Sequence, residues 1–342
     1  MIHFRNDYSV AAHPAVLEAL ARFNDERCPG YGRDPFCEEA AGTIRKLCQA
    51  PDAAVHFLSG GTQVNKTALG AFLRPYEAAV AAESGHICGH ETGSIEHNGH
   101  KILTCPAEDG KLTPAMLEAV CAGQTGEHAV VPRLAYISNT TEVGTVYTLA
   151  ELRSLHDTCT RLGLLLYCDG ARLGAAITAP GSDAGFADYA VLCDAFTIGG
   201  TKNGLLFGEA LVITNSALQP YFRHCMKQQG ATLAKGWVFG IQFSAILRDN
   251  LYLELAARAN GLAGELTQGL QALGVPLLSA SPSNQVFPLL PDGVVERLAE
   301  DFTFEIQQPS RDGRTGIRLV TGWYSSREDV DTFLQRLEVL LK

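Results

Sequence analysis

Several features are missing from this chain of 342 residues, and each absence removes a class of function. No Lys/Arg cluster exists: 27 basic residues stand against 37 acidic ones, and the net charge of −10 is spread without blocks. That argues against a nucleic-acid surface, which needs concentrated positive charge. No apolar run approaches the roughly 20 residues that cross a bilayer, so no membrane partner is expected. The run Leu162–Cys168 has the length of a buried strand. The segment Met1–Asp7 lacks the charged-then-apolar order of a secretory signal. The ten cysteines form no CxxC pair and no regular framework. Most sit inside apolar runs and read as reduced core thiols, so a cytoplasmic protein is expected. No GxGxxG follows a strand-like run, and the P-loop spacing fails at Asn65-Lys66-Thr67, which removes support for dinucleotide and nucleotide folds. There is no internal repeat and no low-complexity segment.

What is present suits a soluble enzyme. Hydrophobic residues make up 46% of the chain, and 34 glycines supply tight turns. The length exceeds a usual single core, which predicts one large and one small domain, divided here as 1–250 and 251–342. Apolar spacing predicts helices over 14–27 and 36–49, a strand over 53–59, and strands over 78–83 and 133–139. A helix follows over 149–162, then strands over 164–169 and 210–214. The stretch 216–270 reads as helical; strand-like runs lie at 285–289 and 315–320, and a last helix covers 326–341. Short apolar strands alternating with helices imply an α/β fold with a mostly parallel sheet covered on both faces. The tail implies a smaller C-terminal α+β domain.

The chemistry centres on Lys202. It lies in a small-residue turn, Gly199-Gly200-Thr201-Lys202-Asn203-Gly204, after the apolar run Ala195–Ile198. A lysine held there is either structural or an imine-forming catalyst, because burial and neighbours lower its pKa and expose a nucleophilic amine. Asp169 ends the apolar strand Leu164–Cys168 and is followed by Gly170-Ala171-Arg172. A carboxylate there is costly unless a cation or strong donor meets it. A salt bridge to Arg172 meets the need; so does a ring nitrogen. An aspartate for a pyridinium proton and a lysine for a Schiff base are what pyridoxal phosphate requires. Ser59-Gly60-Gly61-Thr62 joins a strand to a helix and presents N–H groups to an anion, although a plain βα turn looks the same. These elements fall at strand ends, where α/β sheets bind ligands. Four histidines, His86, His90, His97 and His100, with Cys88 and Glu91 among them, raise a zinc reading. The spacing is not HExxH, and Gly85, Gly89 and Gly93 oppose a continuous helix, so no metal is expected.

Taken together, Asn6-Asp7-Tyr8-Ser9, Tyr31-Gly32-Arg33-Asp34-Pro35, Ser59–Asn65, His86–Gly93, Asp169–Leu173, Gly199–Gly204 and Gly316–Trp323 resemble the threonine aldolase branch of the β-eliminating lyases. The resemblance runs nearly end to end. It implies the PLP-dependent transferase fold (aspartate aminotransferase-like, fold type I) and pyridoxal 5′-phosphate as cofactor. The implied reaction is cleavage of L-threonine or L-allo-threonine to glycine and an aldehyde. It also implies roles: Lys202 as the Schiff-base lysine, Asp169 on the pyridine nitrogen, and Gly61 and Thr62 on the phosphate. Lys235 joins them at a position where relatives often carry arginine. His86 stacks on the cofactor ring, and Arg172 and Arg318 bind the substrate carboxylate, as only an arginine fork orients one bidentately. Asn6 stands where relatives often carry serine. Many relatives place a histidine after an AsnThr pair, where this chain has Thr141. That leaves His86, or Glu91 through a water, as the expected base. A homodimer or homotetramer is implied, with the 31–34 loop as a contributor to a neighbour's site. A β-eliminating lyase on an aromatic or sulfur amino acid is the alternative, and a zinc-dependent hydrolase a distant one.

Overall fold

The computed structural model describes residues 1–342. Its strands are β1 (Ile2–His3), β2 (Ala54–Leu58), β3 (Glu77–Ala82), β4 (Ile102–Cys105), β5 (Val131–Ser138), β6 (Leu165–Asp169), β7 (Ala195–Gly199) and β8 (Glu209–Ile213). In the C-terminal part follow β9 (Gln285–Val286), β10 (Leu289–Pro291), β11 (Phe302–Thr303), β12 (Glu305–Arg311) and β13 (Arg314–Val320). Seven of them form one sheet in the order β2-β8-β7-β6-β5-β3-β4. Only β8 runs antiparallel to its neighbours. The expected helix over 149–162 is found with those bounds, because Thr148 and Glu151 close a capping box and Gly163 turns the chain left-handed at φ 71°. The first helix stops at Arg22, short of residue 27, where the Phe23 ring leaves the helix to pack on Phe36 at 4.8 Å.

The sheet is buried on both faces, and its sequences show why. Along β6 every residue is buried; Leu166 and Cys168 point into one core, Leu165 and Tyr167 into the other. Period-2 alternation therefore sends Asp169 to the side of Tyr167. The register Tyr136↔Tyr167 puts Tyr136 on that side as well. Each fully buried Leu or Val contributes about 1.5–3 kcal/mol, so these strands hold the sheet before any polar contact counts.

A third core, built from the helix Leu251–Ala272, β9–β11, the helix Asp292–Leu298, β13 and the helix Arg327–Leu341, fills the C-terminal body. Phe4 is fully buried in it, and β1 pairs with β11 in parallel. Residues 2–4, expected with the large domain, thus pack in the C-terminal body, and the chain crosses into the large one just after them.

Candidate active site

The parallel strands end along one edge of the sheet. Ser138 and Asp169 are register partners at that edge, and Glu209 opposes both Gly199 and Leu58. The turns after β6 and β7 touch there. The Gly170 amide donates to Thr197 Oγ1 at 2.6 Å, and the Gly199 amide to Gly170 O at 3.0 Å. A Cβ on Gly170 would lie 2.0 Å from Thr197 O, and one on Gly199 2.2 Å from Ala171 O. The glycines of the two motifs are required by this close approach. It brings Asp169 and Lys202, thirty-three residues apart in sequence, into one cavity of about 260 Å³. Ser59–Thr62, His86, Ser138 and Arg172 also line it.

Asp169 is buried and fully engaged. Tyr136 donates to its Oδ2 at 2.7 Å and Asn65 at 2.8 Å, while the Ala171 amide donates to Oδ1 at 2.9 Å. Asn65 also donates to Glu91 Oε1 at 2.7 Å and accepts from Tyr167 at 2.9 Å. Glu91 accepts two further bonds, from His86 Nδ1 at 2.8 Å and Ser94 at 2.7 Å. Its side chain is shut away from solvent behind His86 and does not line the cavity. A route from Glu91 to substrate through a water therefore has no path here, and Glu91 orients the imidazole instead. Burial pulls the His86 imidazole down, but the Glu91 bond and the charges of Glu142 and Asp169 outweigh it and hold it above its ordinary value.

Two cations share the cavity. Arg172 Nε and Nη2 donate to the two oxygens of Asp7 at 2.7 and 3.1 Å. Burial, then the like charge of Arg172, keeps the Lys202 ammonium below the ordinary lysine range. Arg318 opens onto the mouth beside His90, Glu142 and Glu305, with its Nε unpartnered and buried.

These residues fit pyridoxal phosphate. The helix Gly61–Phe72 has no side-chain cap at Gly60, so its first N–H groups face the cavity unfilled. A Cβ at Gly60 or Gly61 would meet nothing within 4 Å, which leaves a cradle there. Ser138 Oγ is buried without a partner at the cavity wall. Asp169 meets a ring nitrogen's need for a carboxylate, and Lys202 supplies the primary amine that an aldehyde needs.

Known proteins agree with this geometry. The family model for the beta-eliminating lyases matches residues 3–292. The chain belongs to the beta-eliminating lyase family. It is 33% identical to the low-specificity L-threonine aldolase of a Pseudomonas strain over 298 residues, 86% of either chain. It is 31% identical to that of Pseudomonas aeruginosa over 346 aligned residues, 99% of this chain and 96% of the relative. The solved threonine aldolase of Leishmania major is 47% identical, superposes with a TM-score of 0.99, and each chain covers 100% of the other. An aspartate aminotransferase of Thermus thermophilus, 15% identical with a TM-score of 0.72, shares the fold. This is fold type I, and as a member of the family the chain is a pyridoxal-phosphate-dependent lyase.

Not every expected residue reaches the lyase cavity. Lys235 is exposed in the turn before the helix Trp237–Leu247, next to Ala234, whose carbonyl accepts from the Tyr31 amide at 3.2 Å. Asn6 accepts from the Tyr8 amide and Ser9 Oγ, both at 2.9 Å, and does not line the cavity. Its neighbours do the work there: Asp7 holds Arg172 and Tyr8 forms part of the wall. The histidines of 86–100 do not converge, and no group of three or more His, Cys, Asp or Glu comes together as a metal would need. His86 and His90 lie with rings 5.5 Å apart, while His100 is buried elsewhere with Nδ1 unpartnered. Sequence reasoning passed over Asp7, Asn65, Tyr136, Glu142 and Glu209. Asp7, Asn65 and Glu142 each lay inside or next to a motif already singled out, so strand parity and turn position were the signals available.

Proposed function

We infer that this enzyme cleaves the Cα–Cβ bond of L-threonine and L-allo-threonine, giving glycine and an aldehyde. The observation that carries the reading is the convergence of Lys202, Asp169, the Gly60–Thr62 helix end and two arginines on one cavity and its mouth. Pyridoxal phosphate, when bound, supplies the electron sink that makes such a bond breakable. Gly61 and Thr62 would hold the phosphate end, Ser138 and Asp169 would meet the ring, and His86 would lie against it. The chain's own residues then divide the remaining work. Lys202, whose ammonium burial holds below the ordinary lysine range, would carry the cofactor through its amine. Arg172, held by Asp7, keeps its outer edge for the substrate carboxylate, and Arg318 meets the same group from the mouth. That clamp would fix the orientation of the substrate's Cα bonds in the site, an effect of the kind that preorganised sites supply. The alternative, β-elimination, has no threonine aldolase among its supports and would release pyruvate and ammonia.

The test uses the purified protein with pyridoxal phosphate. L-Threonine should yield glycine and acetaldehyde in equal amounts, and borohydride should fix the cofactor on Lys202 and bleach its yellow absorbance. Pyruvate with ammonia, or reduction onto another lysine, would overturn the reading.

In the same reading the enzyme is a cytoplasmic homodimer or homotetramer, with a large domain near 1–250 and a small one near 251–342. All ten cysteines are free, six of them buried, and no helix is long and apolar enough to cross a membrane. A larger cleft of about 720 Å³ lies apart from the cavity, lined by Tyr31, Arg33, Arg45 and Arg223. Tyr31 is half exposed at φ 67° on its rim, as suits a loop that completes a neighbour's site. Light scattering on a size-exclusion column decides the assembly; a monomer active at full rate would exclude it.

A further inference from the structure

The turn after β5 is closed on itself and clamped from both bodies. The Thr141 amide donates to Thr145 O at 2.9 Å, and the Gly144 amide to Thr141 O at 3.0 Å. Thr145 Oγ1 donates to Asp109 O at 2.6 Å on one side. From the C-terminal body, Ser279 donates to Val143 O at 2.7 Å and Ser281 to Gly144 O at 3.1 Å. Gly144 sits at φ 82°, and a Cβ on it would strike Ser281 Oγ at 2.3 Å. The backbone on both sides of Glu142 is therefore fixed, and its side chain lines both the cofactor cavity and the mouth.

The carboxylates around the site are otherwise occupied. Asp7 is tied to Arg172, Glu91 to His86, Asp169 to Tyr136 and Asn65, Glu209 to the Gly200 amide and Glu305 to Arg5. Glu142 acts on Arg172, Lys202, Arg318 and His86 through space, with no hydrogen bond to any of them. A carboxylate held at the mouth by a rigid turn, among the residues that bind the substrate's other end, is placed to meet the substrate beyond Cα. His86 has its Nδ1 committed to Glu91, which leaves only Nε2 for the cavity.

We propose that Glu142 is the catalytic base that takes the β-hydroxyl proton as the Cα–Cβ bond breaks. This rests on the threonine-cleavage reading above. The O–H bond breaks, its electron pair becomes the carbonyl of the departing aldehyde, and the proton moves to the Glu142 carboxylate. The Cα–Cβ pair stays with the glycine fragment, which is protonated later, and Glu142 returns its proton to water through the mouth.

The test separates β-chemistry from everything else. In the holoenzyme, Glu142→Gln should slow cleavage of L-allo-threonine by ~10²–10⁴-fold, the usual worth of a general base. Exchange of the glycine α-proton with deuterated water, followed by NMR, involves no β-hydroxyl and should stay within about twofold, a span worth under ~0.5 kcal/mol. Glycine affinity by calorimetry should not weaken, and the thermal midpoint should match the parent. Cleavage kept at the parent rate, or cleavage and exchange lost together, would overturn the assignment. Should Glu142→Gln not fold, Glu142→Ala with added formate decides: recovery of cleavage supports a proton acceptor at this place, and none refutes it. A parent enzyme that binds the cofactor yet leaves threonine intact would instead sink the function itself, a separate outcome.

Discussion

Asp7 and Arg172, 165 residues apart, form a two-pronged ion pair at the centre of the site, with both side chains almost wholly buried. Asn284 adds a third bond to Asp7 Oδ2 at 3.0 Å, from the C-terminal body. The pair fixes the plane of the guanidinium and leaves its outer N–H groups for a ligand. It also joins the N-terminal segment, the large body and the small body at one point.

Removing the Asp7 charge should therefore hurt more than it appears from one contact. Asp7→Asn leaves a buried cation unpaired, at a cost of about 3–5 kcal/mol. Urea unfolding should show the loss, and the KM for threonine should rise as Arg172 loses its orientation. Burial would lift the Asp7 carboxyl; the charges of Arg172 and then Lys202 outweigh it and hold it below its ordinary value. A lowered folded-state pKa means stabilisation present above the ordinary carboxylate range and lost as pH falls through the folded value. The parent should thus lose stability below about pH 4, and Asp7→Asn should lose less over that interval.

Asn65 is the hinge between two carboxylates, and its loss should be felt at both. Asn65→Ala strips one donor from Asp169 and one from Glu91, and leaves the Tyr167 hydroxyl without its acceptor. Unmet buried groups cost about 1–3 kcal/mol each. Thermal unfolding should fall, and the cofactor should dissociate more readily on dilution. Unchanged cofactor retention would show that Asp169 does not depend on this network.

The contact of the β6 and β7 turns is steric, so it has a steric test. Gly199→Ala drives a methyl into the Ala171 carbonyl, and overpacking of this kind costs typically about 1–3 kcal/mol, more when backbone must move. Cofactor binding should suffer beyond the stability loss, since both Asp169 and Lys202 hang on these turns. Gly264→Ala, in a helix where a Cβ meets nothing within 4 Å, is the control and should be neutral or stabilising.

Glu209 gives a pH signature. Burial pushes its carboxyl up to about 7. A raised folded-state pKa means the protonated form is favoured by folding, so stability is full below the ordinary carboxylate value and declines as pH rises through about 7. In the cofactor-free protein, Glu209→Gln should flatten that decline, with a gain of order 3 kcal/mol at most near pH 8. A parent whose denaturation midpoint does not change between pH 5 and 8 would contradict it.

Most strands of the large sheet and the helix over 149–162 could be read from local sequence, because each depends on spacing within a few residues, whereas Asp169 and Lys202, thirty-three residues apart, were paired by the chemistry they could share. Strand parity even fixes that Asp169 shares a face with Tyr167. The α/β alternation fixed a sheet with two cores, since both faces of β6 are apolar. What local sequence did not decide was partnership across distance. Arg172 had an adjacent candidate in Asp169, yet its partner is Asp7, brought in by the pairing of β1 with β11. Glu91 looked like a residue able to face substrate and instead lies behind His86, because the chain folds into two short helical turns, His86–Gly89 and Ser94–His97, around it. Glu142 sat unmarked in a motif read for a missing histidine, and only the folded chain places it in the lining of the cavity and its mouth. Lys235 and Asn6 matched by position and fell outside the cavity. Sequence encodes which faces are buried; which charges meet is settled by sheet register and by the packing of one body on the other.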